Sequence, residues 1–180
     1  MPADYIANTT RELRSLKRAA ERAMAQVNDE QFFATLDPET NSIAMLVKHI
    51  SGNMRSRWTD FLTTDGEKPW RKRDQEFVIG AEDTRQALLA GWEESWKIFF
   101  SMLESLSAAD LEREVSIRSE RYSAMGAAQR SFGHYSDHIG QLILLAKHYA
   151  GAKWQTLSVP RGKSEEYNRD FVSKGLAKLR

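Results

Sequence analysis

SFGHYSDHIGQLILLAKHY, residues 131–149, reads as a buried helix, yet it carries two of the chain's four histidines four positions apart. Four residues of α-helix advance about 400°, so the rings of His134 and His138 point within roughly 40° of each other, about 6 Å apart along the axis. Two imidazoles so placed can grip one metal ion from a single helix face, as the paired histidines of zinc proteases do. The residues between them here include Tyr135, Ser136 and Asp137, so the glutamate base of the protease motif is absent. A third ligand is needed, and His49 is the natural candidate, in mid-helix in AMLVKHISGNM (44–54). Three histidines leave coordination positions for water or substrate, as in catalytic rather than closed structural sites. The competing reading is that each histidine is a hydrogen-bonded core residue. Three buried imidazoles without partners would cost free energy, which weighs toward the metal. His148 lies ten residues past His138 and reads as a cation placed at a helix C-terminus.

Outward from this stretch the chain organises into four long helical segments. The last begins near Ser123 and stops at Gly151, which suits a left-handed cap. The first runs from about Tyr5 to Val27, highly charged, with Leu13, Leu16, Ala20 and Met24 on one stripe. The second is NSIAMLVKHISGNMRSRWTDFL (41–62), with Asn41 or Ser42 as N-cap. The third spans about Asp83 to Leu106, with Leu88, Trp92, Trp96, Phe99 and Leu103 on one face. Strand patterns are hard to find. The connection TTDGEKPWRKRDQEFVIG (63–80) is longer than the usual helix–helix link. The expected fold class is therefore all-α: a four-helix bundle with at least one long crossover connection, in one domain over 1–180, with a C-terminal extension from about residue 152.

Composition narrows the function. With 26 basic and 25 acidic residues the net charge is +1, which provides no field for nucleic acid or an anionic membrane. Cysteine is absent, which removes thiolate ligands, disulfides and a cysteine nucleophile. No apolar signal core or membrane span is visible, so a cytoplasmic location is expected.

The histidine in the second helix, the H-x-x-x-H of the last, and the segments LVKHISGNMRSRWTDFLTTDGEKPWRKRDQEF (46–77) and WQTLSVPRGKSEEYN (154–168) together resemble the DinB/YfiT-like superfamily of metal-dependent helical proteins, in a branch of unknown function. The resemblance implies an up-down-down-up bundle with two crossovers. It implies one divalent metal, often zinc or nickel, on His49, His134 and His138. Some members of that superfamily transfer small thiols and others isomerise a substrate in a thiol-dependent way.

Around the ligands, Asn53 lies one turn beyond His49 and Gln141 about one turn beyond His138; either could orient water or substrate, or stand as a polar rim residue. Trp70, in the long loop, is a candidate pocket wall. Arg161 could take a carboxylate through its two-pronged guanidinium or form a surface ion pair. The basic clusters RSRW (55–58) and RKR (71–73) read as solvated faces. The leading expectation is a mononuclear metal-dependent enzyme, of hydrolase or small-thiol transferase type, acting on a small soluble substrate. A low-molecular-weight thiol is expected as a further cofactor if the activity is thiol transfer. The alternative is a non-catalytic bundle, stapled by metal and acting in dimerisation or partner binding. Trp92, Trp96, Phe99 and Phe100 spread over more than one stripe of the third helix, which suggests a homodimer covering the surplus aromatic surface.

Overall fold

The computed structural model describes residues 2–173 and contains six α-helices and one two-stranded hairpin. The helices are α1 (Pro2–Met24), α2 (Asp29–Phe33), α3 (Ile43–Trp58), α4 (Arg85–Ser105), α5 (Ala124–Ala150) and α6 (Ser164–Ser173). Among the described residues no helix is long and apolar enough to cross a membrane.

Local chemistry sets the helix ends. Ser42, Thr84 and Ser123 each stand in extended backbone before α3, α4 and α5, and each hydroxyl accepts from the amide three residues on. A side-chain oxygen there satisfies one of the orphan donors of the first turn, an effect worth about 1 kcal/mol. Of the two N-caps expected for α3, the structure uses Ser42. At the far end of α5, Gly151 takes φ +53°, where a side chain would be strained.

Helix α3 packs on α4 and α5, and α1 packs on α4 and α5. Their shared core centres on Trp58, which donates to the Tyr135 hydroxyl at 3.0 Å, stacks on Phe61 at 4.6 Å and meets Phe99 edge-on. Leu13, Ala20 and Met24 of α1 and Leu88, Trp92, Trp96, Phe99 and Leu103 of α4 are all buried, as their spacing predicts.

The aromatic surplus of α4 is covered within the chain. Trp92, Trp96, Phe99 and Phe100 are all buried. Charged side chains of α1 do part of the covering: Glu21 accepts from the Trp92 indole at 3.3 Å, and the Arg14 guanidinium lies 4.2 Å from the centre of the Phe100 ring. Long charged side chains lay their stems over apolar surface while keeping their heads in water. The aromatic face therefore no longer argues for a second copy of the chain.

The hairpin is the element that the sequence expectation lacked. Strands β1 (Glu114–Ile117) and β2 (Glu120–Ser123) pair antiparallel with Ile117 opposite Glu120, leaving Arg118 and Ser119 as the two-residue turn. Both turn residues have positive φ, 55° and 64°. Such a turn normally takes Asn-Gly or Asp-Gly, and left-handed backbone costs other residues about 1–2 kcal/mol each. Asp65, from the loop after α3, offsets that cost. Its two carboxylate oxygens accept from the amides of Arg118 and Ser119, at 2.9 and 2.8 Å, from the Ser116 hydroxyl at 2.8 Å and from the Glu67 amide at 2.7 Å. Burial alone would raise the Asp65 pKa, but these donors outweigh it and hold the carboxyl well below the ordinary range.

A folded-state pKa below the unfolded one gives stability that is complete above the unfolded value, about 3.9, and lost as pH falls below it. Asp65→Asn should therefore lower the unfolding free energy by about 2 kcal/mol at neutral pH. The gap between variant and wild type should close on acidification from about pH 4 downward. Urea titrations at several pH values read this directly; a gap that stays constant down to acid pH would mean that the carboxylate charge does not hold the turn.

Candidate metal centre

His49 is carried in the middle of α3, while His134 and His138 occupy successive turns of α5, which packs against α3. The three rings meet edge to face, with centroids 5.1 Å apart for His49–His134, 4.9 Å for His49–His138 and 4.5 Å for His134–His138. One nitrogen from each lies within 4.8 Å of the others. His49 Nε2 and His134 Nε2 are 3.2 Å apart. Two nitrogens each about 2.1 Å from a tetrahedral zinc would be about 3.4 Å apart, so the separation is already close to that of two ligands on one ion.

The hydrogen-bond partners of the rings suit a cation at this point. His49 Nδ1 lies 2.8 Å from Glu76 Oε2, and both side chains are buried. An ionised carboxylate only accepts, so Nδ1 of His49 donates to it, and Nε2 is the ring nitrogen that faces His134. Burial and then the charges of His138 and His49 push the His134 pKa down to about 3, so His134 is neutral at physiological pH. His138 is lowered too, by burial first, with Gln141 partly opposing. Three imidazoles gathered at one point are a donor set that could hold a metal ion.

Glu76 is the functional residue that the sequence reading missed. It sits in a short 3₁₀ turn, Arg73–Phe77, inside the long connection between α3 and α4. Arg71 Nε and Nη2 donate to its two oxygens, each at 2.8 Å. Burial would raise the Glu76 pKa, but the Arg71 and His49 hydrogen bonds and the Arg71 charge hold it below its usual value. A carboxylate on the remote nitrogen of a ligand histidine fixes ring orientation and raises ligand basicity.

Gly52 makes room for this contact: a Cβ there would lie 2.7 Å from the Glu76 carboxyl carbon. Gly52→Ala should gain up to about 1 kcal/mol in helix propensity. It should nevertheless bind zinc about tenfold more weakly, because the carboxylate is pushed off His49. Competition with a chromogenic chelator measures the affinity; equal affinities would show that the Glu76–His49 contact does not tune the site.

The other expected residues fall in different places. Asn53 borders the histidine cleft, with its Oδ1 accepting from the Tyr135 hydroxyl at 3.2 Å. Gln141 Oε1 lies 3.3 Å from His138 Nδ1. Trp70 is 53 % exposed, with the Arg55 guanidinium 5.8 Å from its ring centre, and lines a separate hollow that shares only Arg71 with the cleft. Arg161 is exposed and away from the cleft, in the segment whose backbone docks on α1: Arg22 donates to the Leu157 carbonyl at 3.0 Å and Gln26 exchanges bonds with the Gln155 backbone. His148 is exposed in the last turn of α5.

The basic clusters do not read as expected. Arg57 of RSRW and Arg71 of RKR have side chains only 5 % and 2 % exposed, and both line the cleft. Both reach Glu67, which is why guanidiniums can be buried there. A cleft of about 600 Å³ leads to the three histidines.

Residues 1–163 match a sequence family described as protein of unknown function (DUF1572). The chain belongs to the DUF1572 family. The match takes in all three histidines, Glu76, Arg71 and Asp65, so the whole site lies inside the part of the chain that defines DUF1572 here. No curated protein and no solved structure matches the chain.

Proposed function

We propose that this DUF1572 chain is a mononuclear metal-dependent enzyme whose divalent ion, zinc or nickel, is held by His49, His134 and His138. The observation that carries this is the convergence of three ligand nitrogens within 4.8 Å, one of them on a ring anchored by a buried carboxylate. Such an ion supplies Lewis-acid activation of water or a small thiol at neutral pH. The chain's own residues do the rest. Glu76 keeps His49 in one tautomer, Gln141 steadies His138, and Asn53, fixed by Tyr135, offers its amide hydrogens to the cleft.

The reaction type that fits is hydrolysis or small-thiol transfer on a small soluble substrate. With no cysteine in the sequence, a thiol must come from a low-molecular-weight cofactor. The cleft is of the size that small-molecule sites take, which favours an open, reactive centre over a closed staple between helices. We read α1, α3, α4 and α5 as a DinB-like up-down-down-up four-helix bundle, a reading supported by the pairing of α1 with α4 and α5 and of α3 with α4 and α5.

Elemental analysis of protein purified without a histidine tag tests the centre, with about one zinc or nickel per chain expected. A crystal structure of the loaded protein tests the open form. A fourth protein ligand closing the coordination sphere would favour the staple instead.

A further inference from the structure

The wall of the histidine cleft is chemically one-sided. Arg57, Arg71, Arg73, Arg118 and Arg130 border it, and among the described residues its single acid is Asp137. Part of this charge is answered from behind. One oxygen of Glu67 accepts from Arg57 at 3.1 Å, Arg118 at 3.1 Å and Arg71 at 3.4 Å, and Glu76 takes the other edge of Arg71. Arg73 pairs with Asp74, whose side chain is 90 % exposed and so screened by water. Three guanidiniums on one Glu67 oxygen leave most of their donors unused. Arg130 has no carboxylate partner among the described residues and only faces the Tyr122 ring, 5.9 Å from its centre. The Asn53 amide adds donors, because its oxygen is occupied by Tyr135. A small cleft rich in donors and poor in acceptors is built for a ligand that brings negative oxygens.

Two of these arginines are placed by independent devices. Arg130 lies four residues before His134 on α5, so it stands one turn along the same helix face. Arg118 sits at the apex of the hairpin in left-handed backbone that glycine would adopt freely, and Asp65 holds it there. The fold thus tolerates strain at the apex in a residue whose guanidinium reaches the cleft.

We propose that Arg118 and Arg130 form an oxyanion subsite that seats a carboxylate or phosphoryl group of a small anionic substrate, whose reacting end faces His49, His134 and His138. This names the substrate class of the metal centre and rests on the reading of the cleft as that centre. Guanidiniums suit such groups because their parallel N–H bonds match the spacing of paired oxygens. A cleft of about 600 Å³ fits a metabolite rather than a polymer.

The test is isothermal titration of the full chain with inorganic phosphate and, separately, with succinate at low ionic strength. It is run on protein as purified, with its metal content measured, and again after chelation. Saturable binding of at least one anion is expected, and the one that binds identifies the group. Arg118→Gln and Arg130→Gln should each weaken it about tenfold or more. Arg121→Gln, at an exposed residue of the same hairpin outside the cleft, should leave it unchanged. Metal content and circular dichroism of the variants should match the wild type. No saturable binding of either anion, or binding in Arg118→Gln and Arg130→Gln as tight as in the wild type, overturns the subsite. Because the chelated protein is titrated too, a chain that holds no metal still tests the two arginines. Conversely, full metal occupancy with variant-insensitive binding removes the anion subsite alone.

Discussion

Protein carrying His134→Ala and His138→Ala together should hold less than about a tenth of the metal of the wild type, while His148→Ala should hold all of it. Two of three ligands are gone in the first case, and His49 alone, however well anchored by Glu76, offers one nitrogen. Metal affinity at such sites comes from several ligands acting at once on one preformed geometry. The double variant should still fold. Both rings are only partly buried, and replacing them by alanine also removes the cost of crowding three imidazoles. His148 is exposed in the last turn of α5, so its removal touches nothing near the cleft. Mass spectrometry of the native proteins, with circular dichroism as a folding control, reads both arms. Equal loss in the two variants would mean that the metal sits elsewhere, and retention in both would mean that it is adventitious.

The histidine cluster was legible because helical geometry is local. The spacing of His134 and His138 puts both rings on one face, whatever else the fold does. The apolar residues around His49 place it in the core by the same logic, and the cap at Ser42 followed from a short polar side chain ahead of an apolar run. What escaped is held together by contacts distant in sequence. Glu76 lies 27 residues from His49, in a loop whose pattern gives no cue that one of its several acids is buried. Arg57 and Arg71 looked like solvated charge because their partners, Glu67 and Glu76, are not visible as partners in one dimension. The hairpin escaped for a sharper reason: its turn is Arg-Ser, which lacks the Asn-Gly or Asp-Gly signal, and the stabilising carboxylate arrives from Asp65, 53 and 54 residues away. The aromatic face of α4 misled in the opposite direction. Helix α1 was read as highly charged with one apolar stripe, yet the stems of its long side chains also help to cover that face.

Replacing Glu76 should damage both the centre and the fold, and the two effects can be separated. In Glu76→Ala the Arg71 guanidinium, with a side chain 2 % exposed, loses both of its bidentate bonds and keeps only a 3.4 Å contact to Glu67. Breaking a buried ion pair by removing one partner costs about 3–5 kcal/mol, because the remaining charge is left uncompensated. Glu76→Gln keeps the volume and one oxygen for Arg71 but turns an amide hydrogen toward one of its former donors, so the fold should lose less, about 1–3 kcal/mol. At the metal the two variants should be alike. Both remove the anion from Nδ1 of His49, and loss of such a partner lowers metal affinity about 10–100-fold. Combining Arg71→Met with Glu76→Gln removes the stranded charge and should recover much of the stability, since replacing both members of a buried pair is far less costly than removing one. It should not recover the zinc affinity, because His49 still lacks its carboxylate. Urea unfolding gives the first quantity and chelator competition the second. If zinc affinity instead rises in step with stability in the double variant, Glu76 serves only to neutralise Arg71, and the orientation of His49 must come from the packing of its ring against Phe77, whose centroid is 4.7 Å away.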